Sequence, residues 1–570
     1  MNSNRSSRFT PLIVACSVVI GIIIGSFYAN HFSGNRLSII NTSSNKLNDL
    51  LQIIDAQYVD KVNISDLVEK SLPKILAELD PHSTYTSAKD VEESMQDLKG
   101  SFSGIGVQFI DDTIRVITAI TGGPSKAAGI LPGDCIVAID GKPFVGKVVS
   151  NDEAVHRLKG PKGSKVTVGV IRAGEKTLRN FTIRRDDIPI KSIQTAYMLD
   201  EKTGYIKVDQ FADSTYPEFL VALAKLGQQG ATRLVLDLRG NHGGFVQPAI
   251  RMAYEFLPGN RMVFYMQGRH SPRENFISDG RGAHQSTPLI VLVDEQTASA
   301  SEIFAGSMQD NDRALIVGRR SFGKGLVQES IEFRDGSMLR LTIARYYMPS
   351  GRCVQKPYTP GDFEEYEMDF INRIKSGELE SGDSIKEHGK KYYTRLGRTV
   401  YSENGITPDV FVPEQTELLT SYVKEASMKG LLVKYAYVYT NENRKAWSEL
   451  KTWKEVAAWL NKHDVVDKFA DYANKNGLPR RNLLIKKSHR LLQTYLCGYI
   501  IDDLLGRDAL TRYLNSDDKC VITALKLMNE GKAFPAAPKK PRQDKPKNGK
   551  ERTAQAGCGV EMQAQPSFFA

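Results

Sequence analysis

Residues 288–328 read PLIVLVDEQTASASEIFAGSMQDNDRALIVGRRSFGKGLVQ, and the class of the surrounding fold turns on this stretch. Pro288 to Val293 is a continuous apolar run of strand length. Glu302 to Gln309 has helical spacing that turns Ile303 and Phe304 toward a core, and Ala314 to Val317 is a second apolar run. Strand, helix and strand in that order belong to a mixed α/β core.

The two connections of this unit carry the candidate chemistry. Thr297-Ala298-Ser299-Ala300-Ser301 is a run of small residues between strand and helix, where a hydroxyl stays exposed and the helix N-terminus favours developing negative charge. Chemistry alone leaves three hydroxyls in contention, with Ser301 also readable as the helix cap. The second connection, Gly318 to Gly325, holds Lys324 between glycines. In a dry pocket the neutral amine is favoured and serves as a general base. The loop nearly matches the phosphate-binding pattern GxxxxGK[ST]. However, Gly325 stands where that pattern needs a hydroxyl, and Leu326 to Phe333 alternates like a strand where it needs a helix, so nucleotide binding is not expected.

Working upstream, Gly204 to Val208 reads as a strand, Tyr216 to Leu226 as an amphipathic helix and Leu234 to Leu238 as a buried strand. It ends in Arg239-Gly240-Asn241-His242-Gly243-Gly244, a turn that either exposes backbone amides for an oxyanion or is a plain tight turn. Residues 101–186 change period. Val166, Val168 and Val170 alternate, Asp140-Gly141 and Pro132-Gly133-Asp134 signal turns, and one helical piece spans Asp152 to Leu158. Ser103-Gly104-Ile105-Gly106, then Ala127 to Asp134, then Ile139-Asp140-Gly141 resemble the PDZ domains of bacterial proteases. That resemblance implies a domain that adds a peptide C-terminus as a strand, with Gly104, Ile105 and Gly106 as the peptide-binding loop.

Taken together, the chain from about residue 40 to 415 resembles the carboxyl-terminal processing peptidases, or tail-specific proteases. The resemblance implies a multidomain α+β protein: a mixed α/β serine protease core of the crotonase or ClpP type at 187–414, an inserted PDZ β-domain at 101–186, and helical regions at 40–100 and 415–531. It implies Ser299 of the ASASE run as nucleophile, Lys324 of FGKG as base and Gln328 as the residue that orients the lysine. It places the oxyanion hole at the Ala300 amide with Gly243 or Gly244. It implies protein or peptide substrates with accessible C-termini, and neither metal nor cofactor. The family's usual Asn-Pro-Gly-Gly is Asn241-His242-Gly243-Gly244 here; the glycines remain, and His242 is read as solvent-facing. The rival reading is a catalytically silent PDZ scaffold at a membrane, against which the intact Ser299, Lys324 and Gln328 argue.

The flanks are plainer. Leu47, Leu50, Leu51, Ile54 and Tyr58 form one helical stripe, and Ser65 is read as the cap of a second helix carrying Val68, Leu72, Ile75, Leu76 and Leu79 with Pro73 inside it. These are packing or homodimerisation elements, and Asp80-Pro81-His82-Ser83 is read as a turn ending the helix. Gly361 to Arg398 reads as a solvated polar insertion. A C-terminal stripe of Ile485, Leu491, Leu492, Tyr495, Leu496 and Tyr499 reads as a platform or dimerisation element, and the tail 532–570 as disordered.

After Arg5 and Arg8, residues 11–29 carry no charge over nearly the length of a membrane-spanning helix. An uncleaved inner-membrane anchor with the bulk in the periplasm is favoured over a cleaved signal peptide, since Phe27 and Ala29 fit a cleavage site badly. The pattern Ile13-Val14-Ala15-Cys16 also admits lipidation. The net charge of +10 comes from 76 basic and 66 acidic residues in 570, with eight basic and three acidic residues from Lys532 onward, so no nucleic-acid partner is expected. Six scattered cysteines suggest neither a metal site nor a disulfide framework.

Overall fold

The computed structural model describes residues 36–538 apart from 93, 96–99, 111–113, 121, 132, 145–150, 173–174, 176, 386–388 and 415. The expected anchor at 11–29 lies outside the described residues. Among the described residues no helix is long and apolar enough to cross a membrane.

Helices α1 (Arg36–Gln57) and α2 (Ile64–Ala77) lead the chain, and α2 runs through Pro73. Asn63, not Ser65, caps α2. Its backbone is extended and its side chain accepts the Asp66 amide at 3.4 Å, whereas Ser65 already lies within the helix. The helical reading of residues 40–100 also ends early. The Asp80 carboxylate takes the amides of His82 and Ser83 at 2.8 and 3.0 Å, forming a turn that redirects the chain into strand β1 (Thr84–Thr86).

The next domain is β-rich, as expected. β2 (Ser101–Gly104) pairs with β8 (Asp186–Pro189), which joins its two ends. Between them β3 (Val107–Ile110), β4 (Arg115–Ala119), β5 (Cys135–Ile139), β6 (Lys165–Ile171) and β7 (Leu178–Arg184) form one antiparallel sheet in that order, with α3 (Asn151–Leu158) inserted. The alternating Val166, Val168 and Val170 fill its core with Ile105, Val116 and Ile136. β3 is an end strand of this sheet.

The largest domain is built on the sheet β9–β10–β11–β14–β15–β18: β9 (Thr195–Met198), β10 (Thr203–Lys207), β11 (Arg233–Asp237), β14 (Leu289–Val293), β15 (Leu315–Gly318) and β18 (Val410–Phe411). All its pairings are parallel except β9 with β10. Every residue of β14 is buried, which explains its unbroken apolar run. Helices α4 (Thr215–Gln228), α5 (Val246–Phe256) and α6 (Ala300–Asp310) contribute Phe219, Phe256 and Phe304 to one core cluster. A second cluster joins Val235, Ile290, Leu292 and Val317 to Val521 and Ala524 of α8 (Lys519–Asn529). A further sheet contains β12 (Met262–Gln267), β13 (Glu274–Ile277), β16 (Leu326–Glu332) and β17 (Met338–Tyr347); β17 pairs with β1, β12 and β16. Residues 421–515 form helices around a separate aromatic core that includes Tyr422, Tyr435 and Phe469.

Two expectations of solvated chain need correction. The insertion 361–398 contains helix α7 (Phe363–Lys375), which buries Tyr366 and Arg373 against the lysine loop. The Arg373 guanidinium donates to the carbonyls of Ser321 and Arg320 at 3.1 and 2.6 Å and is neutralised by Glu378, so its polar composition serves docking. The tail is packed at its start: Ala533 is buried, and Arg313 lies over the Phe534 ring at 5.4 Å. Residues 539–570 lie outside the described residues.

Candidate functional site

Three loops at the ends of parallel strands meet: 241–244 after β11, 297–301 after β14 and 321–325 after β15. Backbone bonds join them directly. Ala298 donates to the Asn241 carbonyl and Phe322 to the Thr297 carbonyl, both at 3.0 Å. Serine and lysine connections that are separate in sequence therefore share one junction.

The junction sorts the three hydroxyls. Thr297 Oγ1 donates to the Leu238 carbonyl at 2.9 Å, and Ser301 Oγ to the Asn241 carbonyl at 3.0 Å; both residues are buried and spent on structure. Ser299 differs. It is partly exposed and has φ +55° and ψ −117°, a strained conformation for a residue with a side chain. A sharp strand-to-helix elbow of this kind lifts a nucleophile clear of its neighbours.

Two buried side chains hold that elbow to the lysine loop. The Glu302 carboxylate, fully buried in α6, accepts the Ser299 amide at 3.0 Å, the Gly323 and Lys324 amides at 2.8 Å each, and the Ser321 hydroxyl at 2.5 Å. Burial pushes its pKa up to about 7, against those four donors. The Tyr346 hydroxyl of β17 reaches the carbonyls of both Ser299, at 3.2 Å, and Lys324. Gly325 lets residues 353–356 approach closely, since a Cβ there would lie 2.7 Å from the Gln355 amide.

The surroundings of Lys324 lower its pKa from the ordinary lysine value. Burial is the main cause, the Arg340 charge adds to it, and Glu302 and Asp80 oppose it. Lys324 is thus poised toward the neutral amine. Among the described residues no hydrogen bond joins its amine to Ser299 or to Gln328; Gln328 instead donates to Thr342 Oγ1 at 3.1 Å.

The glycine turn separates its two candidate donors. The Gly243 amide is spent on Asn241 Oδ1 at 2.8 Å, whereas the amides of Gly244 and Ala300 have no hydrogen-bond partner among the described residues. Gly243 earns its place by close approach: its φ is +99°, and a Cβ would fall 2.8 Å from Ser299 Cβ and 3.0 Å from the Ala300 amide. His242 is exposed, as read.

Sequence reasoning missed several members of the site. Glu302 was visible as the fourth residue of a Ser-x-x-Glu capping pattern starting at Ser299. Tyr346 and Thr342 carried no local signal, and Asn241 was read only as part of the glycine turn. Asp80 and His82 were read as a turn only, yet His82 lies close enough to Lys324 for that charge to help lower its pKa to about 3, after burial as the first cause. Its Nε2 lies 3.0 Å from the Tyr366 hydroxyl of α7.

In the β-domain, Gly104 closes β2 opposite Asp186, Ile105 is buried, and Gly106 has φ +72° immediately before β3. The expected peptide-binding loop therefore opens onto an end strand. Beside it, Gln108 of β3 lines a cavity of about 470 Å³ with Tyr437, Tyr499 and Asp502 from the C-terminal helices.

Comparison with known proteins bears on this arrangement. The model for peptidase family S41 matches residues 202–364, a PDZ domain model matches 115–172, and a family of unknown function (DUF8443) matches 422–506. The chain is 34% identical over 316 residues to the carboxy-terminal-processing protease of Bartonella bacilliformis, covering 54% of this chain and 72% of that one. It is 30% identical over 388 residues to the carboxy-terminal processing protease CtpA of Bacillus subtilis, covering 65% and 82%. Among solved structures, the photosystem II D1 C-terminal processing protease is 25% identical and covers 66% of this chain and 95% of its own, with a TM-score of 0.34.

Proposed function

This chain belongs to peptidase family S41 and is a carboxy-terminal processing serine protease, and we propose that it cuts protein substrates with Ser299 as nucleophile and Lys324 as general base. Ser299 Oγ attacks the scissile carbonyl carbon while the neutral Lys324 amine takes the hydroxyl proton. The tetrahedral oxyanion receives hydrogen bonds from the amides of Ala300 and Gly244, both without a hydrogen-bond partner among the described residues. Collapse expels the amine, protonated by the Lys324 ammonium. Water then releases the acyl-enzyme by the same path in reverse.

The observation that carries this reading is the Glu302 carboxylate, which ties the Ser299 amide to the Lys324 amide while the other two hydroxyls of the run are bonded elsewhere. The test is degradation of a reduced, unfolded protein by the full-length chain and by its Ser299→Ala and Lys324→Ala forms. Cleavage undiminished in either variant would refute the dyad, and a parent that cuts nothing would favour the scaffold reading.

The substrate's C-terminal end adds beside β3, with its carboxylate at the Gly104–Gly106 loop. The open edge of that strand and the PDZ match support this reading. Residues 11–29 anchor the chain in the inner membrane with its catalytic portion in the periplasm, a reading supported by the uncharged run after Arg5 and Arg8. Protease added outside spheroplasts should digest the bulk of the chain; full protection would reverse the orientation.

A further inference from the structure

We propose that the N-terminal turn Asp80–Ser83 is a positioning element of the peptidase site, acting through Thr342 to fix which end of the Gln328 side-chain amide is presented to Lys324. The proposal rests on the Ser299–Lys324 reading and deepens it. A register irregularity between Val327 and Gln328 sets Gln328 opposite Thr342, where an unbroken ladder would have set it opposite Ile343. Gln328 and Thr342 are thereby brought within 3.1 Å.

The direction of the hydrogen bonds follows from valence. Asp80 is 7% exposed, and its Oδ1 receives the Thr342 hydroxyl at 3.0 Å from a position 262 residues earlier in the chain. A carboxylate only accepts, so the single hydroxyl proton points to Asp80. Thr342 Oγ1 then has only lone pairs for its other neighbour, so Gln328 must turn Nε2 toward it. The Gln328 Oε1 is left as the outward end of the amide, and an acceptor is what a lysine amine needs as an orienting partner.

The carboxylate that sets this polarity is itself held. Asp80 also accepts the amides of His82 and Ser83 and, at 2.6 Å, the Ser83 hydroxyl. The turn docks twice on one residue, because Ser83 Oγ also accepts the Thr342 amide at 3.0 Å. On its other side His82 meets Tyr366, whose ring lies edge-on to Phe322 of the lysine loop at 5.9 Å. The charged and titratable groups facing Lys324 are Arg340 from β17, Glu302 from α6, and Asp80 and His82 from this turn.

The test compares Thr342→Val, Thr342→Ser, Asp80→Asn and Ser299→Ala forms of the full-length chain on a reduced, unfolded protein. Loss of the relay misplaces the base, so Thr342→Val should lower kcat by about 10- to 100-fold with KM nearly unchanged. Thr342→Ser keeps the hydroxyl and should restore most of the rate. Asp80→Asn should lower kcat and move the acid limb of the rate profile to lower pH, because the Asp80 charge raises the pKa of Lys324. Because Asp80 also builds the turn, the Thr342 pair decides if Asp80→Asn folds poorly. Parental kcat in Thr342→Val would overturn the proposal, as would equal losses in Thr342→Val and Thr342→Ser when both melt like the parent. Residual full activity in Ser299→Ala would instead sink the dyad on which the proposal stands.

Discussion

Around Ser299 the backbone is heavily committed: Ser299, Gly323 and Lys324 give their amides to Glu302, Gly243 gives its amide to Asn241, and Ala298 and Phe322 cross-link the loops. Around Gly104 to Gly106 the carbonyls of Ile105 and Gly106 accept the Ser125 and Ile120 amides at 3.0 Å each, but the loop leads into β3, an end strand of its sheet. The contrast separates two tasks. A reaction site works when its unspent donors, among them the Ala300 and Gly244 amides of the proposed site, are fixed in advance by everything else. A recognition site works when a whole edge of donors and acceptors remains to be satisfied by the ligand.

The largest effect should come from removing the proposed reacting groups while leaving the open edge alone. Ser299→Ala and Lys324→Ala should each lower kcat by about 10³-fold or more. The affinity of Ser299→Ala for a peptide with a free C-terminus should match that of the parent, as measured by fluorescence anisotropy. Equal losses of turnover and peptide binding would mean that the two regions are not separable.

Next comes the staple between the loops. Glu302→Ala would strand three amides and one hydroxyl, and one unpaired buried donor costs about 1–3 kcal/mol, so stability should fall by about 3 kcal/mol or more along with most activity. Its pH behaviour is opposed in sign. A carboxyl raised from 4.5 to about 7 on folding holds its proton more tightly in the folded state. Its contribution to stability is therefore full below about 4.5 and is lost as pH rises through about 7. The junction, however, needs the carboxylate, which alone accepts all four donors. Melting temperature should thus decline from pH 5 to 7 while activity climbs, and Glu302→Gln should flatten the decline; an unchanged slope would assign it to other groups.

The contrast also explains what could be read from sequence. The parallel strands were legible because β14 and β15 are buried and so nearly continuously apolar, and the β-domain because Val166, Val168 and Val170 alternate. The ASASE and FGKG runs were legible because small residues and glycines mark places of close approach. The committed part of the junction was not. Asp80, Thr342, Tyr346 and Tyr366 come from distant stretches, and a buried polar group reveals its role only through partners that the sequence does not place beside it; Glu302 sits in the run itself, but its bonds to Ser321, Gly323 and Lys324 reach across to another loop. The same reason hid the docking of 361–398, whose charges looked like solvated surface until Arg373 met the Ser321 and Arg320 carbonyls.

Tyr346→Phe is a milder probe of the same commitment. It removes the hydroxyl that reaches the carbonyls of Ser299 and Lys324 but keeps the ring, which is 1% exposed. A fall of about tenfold in kcat, equivalent to about 1.4 kcal/mol, is expected with little change in KM, as read from steady-state kinetics. A change confined to KM would place Tyr346 with binding rather than with the dyad.

The smallest effect belongs to the open edge. Removing the last three residues of a substrate, or amidating its C-terminus, leaves the scissile bond and the junction untouched. It removes only the strand and carboxylate that β3 and the Gly104–Gly106 loop would take. The contribution lost is uniform binding, made equally before and during the reaction, so KM should rise by up to about tenfold while kcat stays constant. If kcat falls instead, occupation of the β-domain must reach the junction, and the separation between a fixed reaction site and an unfilled recognition edge fails. Unchanged kcat and KM would remove the β-domain from recognition of these substrates.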